Sequence, residues 1–161
     1  MKRATTTQEA IQQTRPFRSA GQEAVVALFL ASEALKNRVA KVLAARDDIT
    51  LQQYNVLRIL RGAGAEGLPT LDIVERMIEQ TPGITRLIDR LEGKCFVERY
   101  RLERDRRQVW CRLTAEGAAL LADLDAPMDA LDSTALDCLS ARELATLIGL
   151  LARIRNHQPE A

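Results

Sequence analysis

Histidine occurs once in the 161 residues, at His157 near the C-terminal end, and cysteine three times, at Cys95, Cys111 and Cys138. The cysteines are scattered and form no C-x-x-C pair, which argues against a disulfide framework and against a zinc site. They read as buried, inert thiols. No serine or cysteine has a base beside it in sequence, and no glycine-rich phosphate loop follows a strand. No catalytic residue, metal or cofactor is therefore expected, and the chain reads as a non-enzyme. Long hydrophobic runs are also missing. The stretch from Ala24 to Ala31 is too short to cross a bilayer. The N-terminus lacks a positive region followed by an apolar stretch and a cleavage site, so we expect a cytoplasmic protein without a membrane partner. Internal repeats and low-complexity tracts are absent.

What is present is a hydrophobic content of 47%, enough for one domain or two small ones sharing a core. The net charge of +1 conceals an uneven distribution. Residues 81–112 carry nine Arg and Lys against five Asp and Glu, whereas residues 113–161 carry three against eight. A solvated charged face is one explanation; a nucleic-acid surface on a protein of ordinary pI is the other.

The first sixteen residues are polar and aperiodic and read as a loose arm. Val25, Leu28, Phe29, Ser32, Leu35, Val39, Val42 and Leu43 then recur at helical spacing, predicting a long first helix that ends near Arg46. Thr50 and Gln53 form a capping box for a second helix, with Leu51, Tyr54, Leu57 and Leu60 on one face, and the glycines from Gly62 to Gly67 stop it. A third, short helix starts at Thr70, directs Leu71, Val74 and Met77 or Ile78 inward, and carries Asp72 in its first turn. Thr81 and Pro82 read as N-cap and first residue of a fourth helix. Its apolar positions Ile84, Leu87, Ile88 and Leu91 leave Pro82, Thr85, Arg86, Asp89 and Arg90 on the opposite face.

Beyond Leu91 the period falls to two, predicting strands over 96–102 and 108–113, with Val109, Cys111 and Leu113 on one face. The segment ERDRR, Glu103 to Arg107, becomes the tip of a hairpin. Thr114 caps a fifth helix with Glu116 in its first turn, carrying Leu121, Leu124, Met128 and Leu131 and bent at Pro127. Ser140 and Glu143 box the start of a sixth, with Leu144, Leu147, Ile148, Leu151 and Ile154 on one side.

The predicted fold class is mainly α with a small β-hairpin: a winged helix-turn-helix lobe joined to a helical dimerisation region built from the N- and C-terminal helices. The polar face of the fourth helix suits a DNA major groove, and the arginines of the tip suit phosphates or the adjoining minor groove. Glu103 or Asp105 would orient one of those arginines through a charge-assisted hydrogen bond. A solvated turn whose charges keep an edge hairpin from pairing with other chains is the competing account of the tip. The terminal helices carry more apolar surface than a small winged domain covers, which favours a homodimer over an intramolecular bundle of the first, fifth and sixth helices.

The segments ITLQQYNVLRIL, ITRLIDRLEGKCFVER and DRRQVWCRLTAEG, in this order and spacing, resemble the MarR family of bacterial transcription regulators over about Ala24 to Arg155. The resemblance is most specific at Asp105, Arg107, Leu113 and Thr114. It implies a repressor that binds a pseudo-palindromic operator in double-stranded DNA as a homodimer and is released by a small aromatic or phenolic effector. The implied organisation is a flexible arm (1–16), a dimerisation helix (17–48), the DNA-binding lobe (49–113) and C-terminal dimerisation helices (114–161). The implied recognition-helix residues are Gln80, Thr81, Thr85, Arg86 and Arg90, and the wing residues Arg104, Asp105, Arg106 and Arg107. An effector would sit in the apolar gap where the first, second and fifth helices meet. A winged module for protein–protein contact and a cysteine-based redox sensor at Cys95 are the alternatives.

Two positions depart from the family pattern. Thr81, Pro82 and Gly83 stand where small polar residues are usual, and Cys95 stands where glycine is usual. The fourth helix is therefore terminated either by Cys95 held left-handed under strain or by Gly93 two residues earlier, and we expect the former.

Overall fold

The computed structural model describes residues 5–46, 49–79, 83–102 and 105–157, with residues 105 and 106 described by backbone alone. The elements are α1 (Thr7–Ala10), α2 (Ala20–Ala44), α3 (Leu51–Ala63), β1 (Leu68–Pro69), α4 (Thr70–Arg76), α5 (Ile84–Gly93), β2 (Val97–Leu102), β3 (Asp105–Leu113), α6 (Ala115–Ala135) and α7 (Ala141–Asn156). No helix among the described residues is long and apolar enough to cross a membrane.

Capping chemistry sets most helix starts. Thr50 accepts from the Gln53 amide while Gln53 bonds the Thr50 amide, and Ser140 and Glu143 do the same for α7, as their spacing predicts. Within the segment expected to be a loose arm, Thr6 and Glu9 form a further capping box at the single turn of α1. Thr81 and Pro82, read as N-cap and first helical residue, lie outside the described residues; among the described ones α5 begins at Ile84 with Gly83, at φ +102°, as its N-cap. That left-handed residue is available because glycine has no Cβ.

The core sits where α3, α4, α5, the sheet and the first half of α6 meet. Leu43, Val56, Leu57, Leu60, Ile73, Leu91, Cys111, Leu121 and Leu124 are fully buried there. Ile73 of α4 and Met77 just after it, one turn apart, are buried; of the alternatives Met77 and Ile78 the structure takes Met77 and leaves Ile78 86% exposed, while Leu71, expected to point inward, is 72% exposed. A short helix cannot bury both sets, and the four-residue step from Ile73 to Met77 matches the face presented to α3.

Only the last part of the α2 stripe reaches this core, with Val39, Val42 and Leu43 against it. At the other end Val25, Leu28 and Phe29 are exposed. The same holds for α7, which buries no residue and leaves Ile148, Leu150, Leu151 and Ile154 open. These two apolar faces have no covering element among the described residues.

The sheet has three antiparallel strands in the order β1-β3-β2. Leu68 pairs with Cys111 and Pro69 with Trp110, adding a strand too short to be read from sequence periodicity. The hairpin is tighter than expected, because β3 begins at Asp105, opposite Leu102. Asp105, Arg106 and Arg107 therefore belong to a strand, not to its turn. The register shifts between Tyr100 and Leu102, which accommodates the extra length of β3.

The junction between α5 and the sheet explains the outlier at Cys95. Cys95 has φ +60°, its amide donates to Glu92 O at 2.9 Å, and the Phe96 amide donates to Leu91 O at 3.0 Å. This is the paired bonding of a Schellman motif, with a cysteine in the usual glycine place. Gly93 remains inside the helix, so the alternative terminator is excluded. Thr114 locks the junction: its hydroxyl donates to Cys95 O at 2.6 Å and accepts from the Gly117 amide at 3.0 Å, capping α6. Gly117 completes the packing, since a Cβ there would lie 2.2 Å from Phe96 O.

Candidate nucleic-acid interface

The helix α5 is amphipathic in the sense its sequence predicts. Ile88 and Leu91 are buried and Ile84 and Leu87 half-buried, which turns Thr85, Arg86, Asp89 and Arg90 to solvent. Beside this face β3 displays Arg107, also exposed. Thr85 and Arg107 border one cleft of about 310 Å³, together with Thr70, Asp72, Arg99 and Gln108. The fold thus brings a residue of the helix and a residue of the hairpin, 22 positions apart in sequence, to a common surface. Gln80, Thr81 and Arg104 lie outside the described residues, as does Glu103. Asp105 and Arg106 open β3, and the expected orientation of an arginine by Glu103 or Asp105 falls on side chains that are not described.

Arg99 is absent from the site residues the sequence predicts, yet it organises this surface. Its Nε and Nη2 donate to Glu92 Oε2 at 2.9 and 2.5 Å, Nη2 also bonds Asp89, and its amide donates to Glu92 Oε1 at 3.2 Å. Both carboxylates come from α5, so Arg99 fastens the helix to β2. The guanidinium holds the Glu92 carboxyl below its usual range, chiefly by hydrogen bonding. A signal exists in the alternation: Arg99 shares strand parity with buried Val97 and is opposite buried Cys111. A cation on an inward face demands a partner. With its charge met by two acids, Arg99 positions the helix, while Arg86, Arg90 and Arg107 face outward. On the other face of the sheet Arg112 pairs with Glu98 across the strands and lies 5.1 Å from the Tyr100 ring centroid.

The cysteines divide differently from expectation. Cys111 alone is buried, its thiol pushed up by that burial, whereas Cys95 and Cys138 are exposed. The gap expected among the first, second and fifth helices has a neighbour that shares two of them. An apolar pocket of about 390 Å³, open on one side, is bounded by α2, α3 and the chain just after α4, with Leu35, Val39, Leu51 and Met77 among its walls. Met77 to Glu79 occupy the side that α6 was expected to supply.

Three helices carrying an antiparallel hairpin on their shared core define a winged helix-turn-helix protein. A family model described as MarR family matches residues 49–109. The multiple antibiotic resistance protein MarR of Salmonella typhimurium strain LT2 is 32% identical over 120 residues, covering 74% of this chain and 82% of that protein. Among solved structures, a MarR transcription factor from Planctomyces limnophilus is 38% identical with a TM-score of 0.65, covering 85% of this chain and 98% of that one. A mutant MarR from E. coli complexed with operator DNA is 27% identical with a TM-score of 0.71, covering 80% and 90%. The chain belongs to the MarR family.

Proposed function

We propose that this chain is a transcription regulator that binds a pseudo-palindromic operator as a homodimer and is a ligand-responsive repressor. The observation that carries the reading is the shared cleft of Thr85 and Arg107, flanked by exposed Arg86 and Arg90 on the same helix face. A relative of 27% identity has been solved with operator DNA, which supports a duplex as the partner. In this reading residues 49–113 form the DNA-binding lobe. The face of α5 enters a major groove, with Thr85, Arg86, Arg90 and the preceding Gln80 and Thr81 toward base edges. Arg104, Arg106 and Arg107 meet phosphates or the adjoining minor groove. Arginine suits this because its planar fork binds phosphate in two places and keeps its charge.

The homodimer follows from the uncovered apolar faces. Val25 and Phe29 of α2 and Ile148 and Ile154 of α7 are more than half exposed, a patch that a second copy buries economically. Residues 17–48 and 114–161 then serve as the dimerisation region. A two-fold dimer places two copies of α5 on half-sites about one helical turn, roughly 10 bp, apart. The pocket of about 390 Å³ between α2, α3 and the end of α4 is the place for a small aromatic or phenolic effector.

Fluorescence anisotropy with duplex fragments from upstream of the gene, in excess random duplex, tests the reading. One fragment should be retained at protein concentrations where random DNA is not, and Thr85→Ala and Arg86→Ala should narrow that gap. Equal affinity for every fragment would refute sequence-specific recognition.

A further inference from the structure

The Tyr100 hydroxyl of β2 donates to Glu66 O, in the chain two residues before β1. The strand order is β1-β3-β2, so this side chain reaches over the central strand β3 to the far edge of the sheet. On the way its ring meets Trp110, its Cα partner on β3, with centroids 6.4 Å apart and planes inclined by 46°. The Arg112 guanidinium, paired with Glu98, lies over the same ring. The register of β1 on β3 has two positions, Leu68 with Cys111 and Pro69 with Trp110, and the bond from Tyr100 adds a third tie across that short edge. Tyr100 and Trp110 also form the last pair before the register shifts and the hairpin continues to Leu102 opposite Asp105. A shift of this kind bends and twists the strand that carries it. Between Trp110 and Arg107 stand only Gln108 and Val109, so the course set for β3 at this pair decides where Arg107 is presented.

We infer that Tyr100 is a positioning residue for the wing: its bond to Glu66 and its ring between Trp110 and Arg112 fix the aim of Arg107 toward DNA. The inference rests on the DNA-binding reading and names the group that directs the second of its two contacts. Tyr100 acts through β3 and not on the duplex itself. Without the tie, the hairpin beyond the register shift pivots at its root and Arg107 samples several directions. With it, the guanidinium is aimed before the duplex arrives and loses less freedom on meeting a phosphate. The acceptor is a main-chain carbonyl, so removing the hydroxyl is the substitution that breaks the bond and leaves the packing in place. A ring that merely covered the sheet would be served equally by phenylalanine.

The test compares Tyr100→Phe with the parent in the full chain. Operator affinity should fall roughly threefold or more while the melting temperature stays close to that of the parent. The slope of log affinity against log salt should become shallower by up to about 0.9 for each wing that loses its phosphate. Arg107→Ala should weaken binding by itself, and adding Tyr100→Phe to it should cost little more, because the tie then has no guanidinium to aim. Trp110 is the only tryptophan of the chain, so its fluorescence reads the root of the wing directly, and acrylamide should quench it more in Tyr100→Phe than in the parent. Unchanged affinity and salt slope in Tyr100→Phe, or full additivity with Arg107→Ala, would overturn the inference. So would a loss of affinity that comes with a lower melting temperature and the parent's salt slope, the mark of a merely structural role. A parent chain that binds no duplex overturns the DNA-binding reading as well, whereas a parent that Arg107→Ala weakens and Tyr100→Phe matches overturns this inference alone.

Discussion

Replacing Cys95 by glycine should make the protein more stable. Cys95 is held at φ +60° by the bonds that close α5 and by the Thr114 hydroxyl on its carbonyl. A residue with a Cβ in that region costs about 1–2 kcal/mol, which glycine avoids. Glycine gives back about 0.4–1 kcal/mol through its freer unfolded chain. The side chain is exposed, so little packing disappears with the thiol. The net expectation is a stabilisation of about 0.5–1 kcal/mol. For a chain of this size that raises the melting temperature by about 1–4 °C, read by circular dichroism at one fixed protein concentration. Operator affinity should not change, because the helix keeps its bonds. Gly93→Ala is the control. Gly93 lies within the helix and a Cβ there meets nothing within 4 Å, so alanine should stabilise by up to about 1 kcal/mol. A lower melting temperature for Cys95→Gly would refute the strain argument and show that the thiol contributes packing.

Gly117→Ala should destabilise by about 1–3 kcal/mol in chemical denaturation, because its Cβ would lie 2.2 Å from the Phe96 carbonyl and α6 would have to move off the sheet. The Glu92 carboxyl, lowered by Arg99, should contribute stability that is present above the ordinary carboxylate pKa and lost as pH falls through the lowered folded value. Denaturation midpoints followed below about pH 4.3 should therefore fall less steeply in Glu92→Gln than in the parent, and identical slopes would remove Arg99 as a fastening. Sedimentation should find a dimer at micromolar concentration, and Phe29→Glu combined with Ile148→Glu should give a folded monomer, since both residues are exposed in the single chain at 70% and 67%. A parent that sediments as a monomer would contradict the dimer.

Local chemistry makes much of this fold readable from sequence. The capping boxes at Thr50 and Ser140, the cap at Thr114 and the polar face of α5 depend on neighbours within four residues, and the structure carries each of them. The left-handed Cys95 is readable because a helix followed at once by a strand needs a terminator. What escapes depends on distant partners. The strand β1 is two residues long and exists only because Cys111 and Trp110 pair with it. Leu71 is apolar and helically placed, but the facing surface accepts Ile73 instead, and only that surface decides for Met77 over Ile78. The role of Arg99 is hidden because its partners, Asp89 and Glu92, approach it only after the chain turns between α5 and β2. The hairpin tip reads as broader than it is because a charged, aperiodic run conceals the point at which pairing resumes.

The salt dependence of duplex binding, compared between the parent and an Arg106→Ala, Arg107→Ala double variant, tests the central claim most directly. If these strand residues meet phosphates, the slope of log affinity against log salt becomes shallower by about 0.9 for each phosphate left without its arginine, up to about 3.6 for two arginines in each of two protomers. The weakening should be similar on operator and on random duplex, because phosphate contacts carry no sequence information. A double variant that remains folded and keeps the parent's slope and affinity would contradict the account.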